Sequence, residues 1–166
     1  MPAYFFDSSA LVKFYVNETG TVWVRSFTDS EDNLIHVASL AKVETVSALT
    51  RRLRRLEIKQ AEFDDACDEL EQDFASQYRV VALTEEIIEE AASLAKKHGL
   101  RAYDAVQLAA ALDTSRVISQ IESTQLTLVS ADLELNAATT AEGLATEDPN
   151  THCNMGLRRA ILRRRG

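Results

Sequence analysis

Residues 3–16 read AYFFDSSALVKFYV, and the position of the acid in that stretch sets the architecture. Four apolar residues make a short strand. Asp7-Ser8-Ser9 supplies side chains suited to starting a helix, and ALVKFYV continues with helical periodicity. A strand that passes directly into a helix is the opening half of a βαβ unit.

The same pattern recurs along the chain. LIHV predicts a strand at 34–37, after a helix over about 18–29. From Ser39 a helix is expected, with Leu40, Val43, Val46, Leu49 and Leu53 on one apolar stripe. A further amphipathic helix is predicted at 59–77, with Phe63, Cys67, Leu70 and Phe74 on its inner face. Then follow a strand at 79–82, a helix at 84–98 ended by His98-Gly99, and a helix at 103–113 that can extend to 122. LTLVS at 126–130 is the clearest buried strand, DLELNAATTAE is helical up to Gly143, and LATE at 144–147 is a last short strand. Strands alternating with helices predict an α/β fold: a central parallel β-sheet between helical layers.

A chain of 166 residues is long enough to bury a core without disulfides or a structural metal. Hydrophobic residues at 46% and charged residues at 27% are the balance of a folded globular protein. One domain is expected over 1–149. The remaining residues, 150–166, with five arginines in the last nine, read as a flexible basic tail. No apolar run approaches the roughly 18 residues that cross a bilayer, and an acid interrupts the N-terminus where a signal peptide is apolar, so a cytoplasmic protein is expected. Cys67 and Cys153 lie in no zinc or redox pattern and read as free thiols. A net charge of −8 is unfavourable for a grip on nucleic acid over a broad surface. Residues 57–73 carry eight acids and one lysine, just after Arg51, Arg52, Arg54 and Arg55, so any phosphate must be held locally.

Four acids stand out by position. Asp7 follows the first strand, and Asp132 lies two residues beyond the 126–130 strand, so both belong at the carboxyl ends of parallel strands, where open α/β sheets bind ligands. Glu44 points with the apolar stripe of its helix, and an unpaired buried carboxylate is costly. Asp104 starts the small-residue helix AVQLAAAL. Taken singly, Asp7, Asp104 and Asp132 are also good helix caps, and Asp104 with Gln107 fits a capping box. Capping explains neither Glu44 nor three caps at one end of a sheet. Clustered carboxylates repel one another, and a hard divalent cation relieves this; oxygen ligands without histidine suit Mg²⁺ or Mn²⁺. Such an ion can activate water against a phosphodiester. Other acid-after-strand sites match less well. Asp7-Ser8-Ser9-Ala10-Leu11 lacks the last serine of a metal-adhesion motif, the adjacent acids of a phosphoacceptor receiver, and the second aspartate of a dehalogenase-like phosphatase.

YFFDSSALVKFYV, ASLAKVETVSALTR, RAYDAVQLAAAL and LVSADLELNAATTAEGL, in this order over about residues 3–148, together resemble the PIN-domain family, and within it the VapC toxins of bacterial toxin–antitoxin pairs. The resemblance implies an α/β/α sandwich, Mg²⁺- or Mn²⁺-dependent endoribonuclease activity, a homodimer and inhibition by a cognate antitoxin. It assigns metal binding and water activation to Asp7, Glu44, Asp104 and Asp132, with Ser8 and Ser130 as supporting hydroxyls. The segment DTSRVISQIESTQ before the 126–130 strand is longer than the family commonly has, and the arginine-rich tail lies outside its pattern. For RNA contact, Lys13, Lys42, Arg51, Arg52 and Arg101 are nearest the acids in sequence. A PIN-like module that binds RNA or protein without cutting is the alternative. His36 is expected within the sheet, His98 at a helix end and Trp23 in the core or an interface.

Overall fold

The computed structural model describes residues 1–27, 32–121 and 124–152; Cys153 and the arginine-rich stretch fall outside them. Five parallel strands, β1 (Ala3–Phe6), β2 (Leu34–Ala38), β3 (Arg79–Val81), β4 (Leu126–Val129) and β5 (Ala145–Glu147), lie in the order β3-β2-β1-β4-β5. The chain steps outward from β1 to β2 to β3, then returns to the other side of β1 for β4. The sheet therefore reverses its winding between β1 and β4, and a crevice opens beyond the carboxyl ends of strands at such a point.

Among the described residues, seven helices cover the sheet: α1 (Ser8–Tyr15), α2 (Thr21–Arg25), α3 (Ser39–Arg54), α4 (Gln60–Ser76), α5 (Glu85–His98), α6 (Ala102–Ile121) and α7 (Leu133–Ala141). Successive residues of a strand face opposite ways, so the apolar strands feed two separate cores. Phe6, Val37 and Val129 pack with α1 to α4, including Leu11, Leu49 and Leu70. Phe5, Ala38 and Leu128 pack with α5 to α7, including Leu94, Leu108 and Leu135. The alanines of α6, at 105 and 109–111, are buried against this second face, where their small side chains let a 20-residue helix lie close to the sheet.

Four expectations need correction. The helix read over 18–29 spans Thr21–Arg25, because Gly20 before it adopts a left-handed conformation with φ 89°. A Cβ at Gly20 would lie 2.5 Å from the carbonyl oxygen of Pro149. In α3 the deepest residues are Ala41, Thr45 and Leu49, while Val43 is 66% exposed. This helix rests on α1 and α4, which rotates its buried line away from the larger aliphatics. Asp104 is the third residue of α6 and caps nothing, since the helix already begins at Ala102. Finally, a 3₁₀ turn at Pro149–His152 extends past the expected boundary at 149, with His152 stacked on the buried Trp23 at 4.1 Å between ring centroids.

Candidate active site

Asp7 and Asp132 lie at the ends of β1 and β4, while Glu44 couples electrostatically to Asp7, and Asp104 to Asp132, from helices. The backbone N–H of Asp7 donates to the Val129 carbonyl at 3.2 Å, carrying the β1–β4 ladder one residue beyond the strands. Its side chain turns back to cap α1, accepting from the Ala10 N–H at 2.9 Å. The Ser9 and Ser130 hydroxyls donate to the same carboxylate at 2.8 and 2.9 Å. Asp7 is only 2% exposed. Burial outweighs these three donors and, with the nearby charge of Glu44, pushes the carboxyl up to about 7.

Asp132 caps α7, accepting from the Leu135 N–H at 2.9 Å, and its own N–H donates to Ser130 Oγ at 3.0 Å. Ser9 Oγ in turn accepts from the Ala131 N–H at 2.9 Å. Two hydroxyls thus stitch the end of β1 to the end of β4. Of the two serines expected to support the acids, Ser130 is fully buried and bonded to Asp7, whereas Ser8 serves Glu44.

Glu44 sits midway along α3, half-buried at the margin of the core rather than inside it. Gln107 Nε2 of α6 donates to Glu44 Oε2 at 2.6 Å. Burial holds Glu44 above the usual carboxylate range, the Gln107 and Ser8 hydrogen bonds oppose this, and the charge of Asp104 adds to it. Asp104 is raised too, first by burial, then by Asp132 and Glu134, with Arg101 pulling the other way. The acids are therefore coupled in a chain: Asp7 to Glu44, Glu44 to Asp104, Asp104 to Asp132. Among the described residues, no three acidic, histidine or cysteine side chains already converge as a metal site.

The expected RNA contacts divide. Arg51 is exposed and lines the cleft beside Glu44, and Arg101 is exposed beside Asp104. Lys13 is a correction: it is 5% exposed, and its ammonium group donates to Glu18, the Thr19 carbonyl and Asn150 inside the fold. Arg52 pairs with Glu18 and lies near Glu57, and Lys42 pairs with Glu71 on α4 at 2.6 Å. Basic residues close to the acids in sequence were thus drawn to internal or neighbouring carboxylates. His36 is buried in β2, and His98 ends α5 with its ring 2.5 Å from Glu142. Ser9 and Gln107 are the residues that sequence reasoning missed. The Asp-x-Ser spacing was visible, but Gln107 read as a capping partner of Asp104.

Comparison with known proteins then decides the family, since the model of the PIN domain matches residues 4–139. The chain belongs to the PIN-domain family. Two homologues of this PIN-domain chain are ribonucleases VapC45 and VapC49 of Mycobacterium tuberculosis, each 38% identical over 112 residues, covering 68% of this chain and 76% of theirs. Solved structures share the PIN fold at lower identity. PAE2754 from Pyrobaculum aerophilum has a TM-score of 0.59 at 21% identity, with 96% of each chain covered. VapC20 of Mycobacterium tuberculosis, a toxin cleaving the sarcin-ricin loop, has a TM-score of 0.58 at 17% identity over 81% of this chain and 94% of its own. A toxin–antitoxin complex from Klebsiella pneumoniae has a TM-score of 0.51 at 13% identity over 88% and 97%. Nucleases of the PIN-domain family typically use divalent metal ions. No helix among the described residues is long and apolar enough to cross a membrane.

Proposed function

We propose that this chain is a Mg²⁺- or Mn²⁺-dependent endoribonuclease and the toxin of a toxin–antitoxin pair. The observation that supports the reading is the pairwise coupling of Asp7 to Glu44, Glu44 to Asp104 and Asp104 to Asp132, with the first three held above the usual carboxylate range by burial and by the neighbouring charge. A fold gains nothing in stability from burying one acid next to another, so the arrangement is suited to binding a cation. The ribonuclease relatives and the toxin complexes that share the fold support the substrate and an antitoxin partner. The family resemblance supports a homodimer acting in the cytoplasm.

The donor set suits such an ion in chemistry and charge: carboxylate oxygens, without a histidine or thiolate in the group. Asp7, Glu44, Asp104 and Asp132 would hold it. When bound, it would polarise the phosphodiester and make a water more acidic. The remaining work falls to the chain. Ser9 and Ser130 aim the Asp7 carboxylate, Gln107 and Ser8 aim Glu44, and Arg101 moderates the field at Asp104. An RNA phosphate is itself anionic and would be repelled by uncompensated acids, so metal and substrate should bind in support of each other. A non-cleaving PIN-like module has no comparable need for a fully buried acid coupled to a second one.

The test is incubation of purified protein with single-stranded and structured RNAs plus Mg²⁺ or Mn²⁺. Internal cuts are expected that disappear with chelator and in Asp104→Asn. Equal cutting by wild type and Asp7→Asn would mark a contaminating nuclease and overturn the assignment.

A further inference from the structure

Beside the acids lies a cleft of about 340 Å³ whose walls are mostly not acidic. Tyr103 stands at one side, immediately before Asp104. Leu40 and Val43 of α3 line it together with Glu44, and Arg51 stands two turns further along the same helix. Tyr103 is 60% exposed and Val43 66% exposed. Two large apolar surfaces are therefore open to water at the mouth of a site that otherwise handles charge. Their partner is not another part of the described fold.

We propose that this cleft receives an unstacked nucleobase next to the scissile phosphate, with the Tyr103 ring as its stacking platform and Arg51 binding a neighbouring phosphate. The inference rests on the ribonuclease reading and narrows its substrate to unpaired RNA. Charge selects this occupant. In a protein of net charge −8, the cleft is lined by one carboxylate, Glu44, and by the exposed Arg51 two turns further along the same helix. An apolar peptide would use the walls but not this polarity, whereas a nucleotide offers a flat apolar ring and an anion on one flexible unit. A base inside a duplex is already stacked on both faces and cannot present its ring to a side chain, so the cleft discriminates against paired RNA. The Tyr103 hydroxyl plays no part in stacking, and phenylalanine should serve equally well.

The experiment measures binding apart from cleavage. Fluorescence anisotropy with a labelled single-stranded RNA and a blunt duplex of the same sequence, in chelator, is run on wild type, Tyr103→Ala, Tyr103→Phe and Arg51→Ala. Wild type should prefer the single strand. Tyr103→Ala should lose roughly tenfold or more in single-strand affinity and little on the duplex, while Tyr103→Phe stays close to wild type. Arg51→Ala should weaken both RNAs and reduce the salt slope by about 0.7 on the single strand. With metal added, the Tyr103→Ala loss should appear in KM more than in kcat. Thermal melts should not change, because the ring is exposed. If wild type cleaves RNA and Tyr103→Ala keeps wild-type affinity and kcat/KM, this inference is overturned and the ribonuclease assignment stands. Equal losses by Tyr103→Ala on single strand and duplex would also overturn it. If wild type neither binds nor cuts any RNA, the ribonuclease assignment fails first.

Discussion

Asp7 and Asp132 arrive at the site on strand ends, whereas Glu44 and Asp104 are carried there within helices. Each strand-end acid also caps the helix that follows it, through the Ala10 and Leu135 N–H groups. The helix-borne acids cap nothing. Glu44 is held by a glutamine from another helix, and Asp104 responds mainly to burial and neighbouring charge. One pair therefore combines a structural task with the proposed chemical one, and the other is free of that constraint. Substitutions at the two pairs should fail in different ways.

The largest effect is expected at the helix-borne pair. Asp104→Asn and Glu44→Gln should each lower cleavage by about a hundredfold or more, since several kcal/mol of charge stabilisation would be lost. Their melting temperatures should stay near that of wild type. Asp7→Ala and Asp132→Ala should lose activity and, in addition, about 1–2 kcal/mol of stability through the missing cap. Single-turnover cleavage and thermal melts on the same preparations check both halves. A fall in melting temperature for Asp104→Asn as large as that for Asp132→Ala would break the distinction.

A pH titration sharpens it further. Asp7 in the folded chain titrates near 7, against an ordinary 3.8. Between these values the native state keeps a proton that the unfolded chain has released. Stability therefore falls as pH rises through this window, by about 1.4 kcal/mol per pH unit from this group, and levels off above it. Asp7→Asn can still cap α1 but has no charge to bury. Its stability relative to wild type should rise from pH 4 to 7 without added metal, and Mg²⁺ should raise the melting temperature of wild type more than that of the variant. A difference that stays flat with pH would show that Asp7 is not desolvated.

This division also explains what could be read from the chain beforehand. A carboxylate that follows a strand is placed by the strand, and strands announce themselves as apolar runs between turn residues. AYFF and LTLV are such runs, so Asp7 and Asp132 were legible together with the parallel sheet. Helix-borne side chains depend on rotation about an axis, which periodicity specifies only to within a residue or so. The apolar stripe of α3 was read through Val43, yet the helix buries Thr45, because its neighbours are helices and it packs along a narrow line. Lys13 illustrates a different limit. Its burial depends on Glu18, Thr19 and Asn150 closing round the ammonium group, and nothing local in the sequence specifies a contact from residue 150.

Gln107 tests how firmly the helix-borne acids are supported. It is 1% exposed, its Nε2 donates to Glu44, and its Oε1 is buried without a hydrogen-bond partner among the described residues. Gln107→Met replaces it with an apolar chain of similar length. Cleavage should drop about ten- to hundredfold, as expected when a group that orients a ligand is removed. Stability should change little, because the orphaned oxygen goes at the same time as the hydrogen bond. Activity equal to wild type would mean that Glu44 is positioned by Ser8 alone.

The smallest expected effects separate Ser9 from its neighbour. Ser9 Oγ donates to Asp7 and accepts from the Ala131 N–H, so it belongs to the strand-end pair. Ser8 contributes a hydrogen bond to Glu44 and is otherwise half-exposed. Ser9→Ala strands the Ala131 donor and should cost about 1–2 kcal/mol, while Ser8→Ala should stay within about 0.5 kcal/mol of wild type. The Ser9 deficit should also depend on pH. At pH 5 native Asp7 is mostly protonated and has less need of a donor. At pH 8 it is mostly ionised, and losing one of the three groups that hold its pKa down carries its titration higher. Thermal melts of Ser9→Ala should therefore fall further below wild type at pH 8 than at pH 5, with Ser8→Ala showing no such trend. The reverse order would mean that the hydroxyl accepts a hydrogen bond from a neutral Asp7 rather than donating one to its carboxylate, and the ends of β1 and β4 would then be joined by a different hydrogen-bond network.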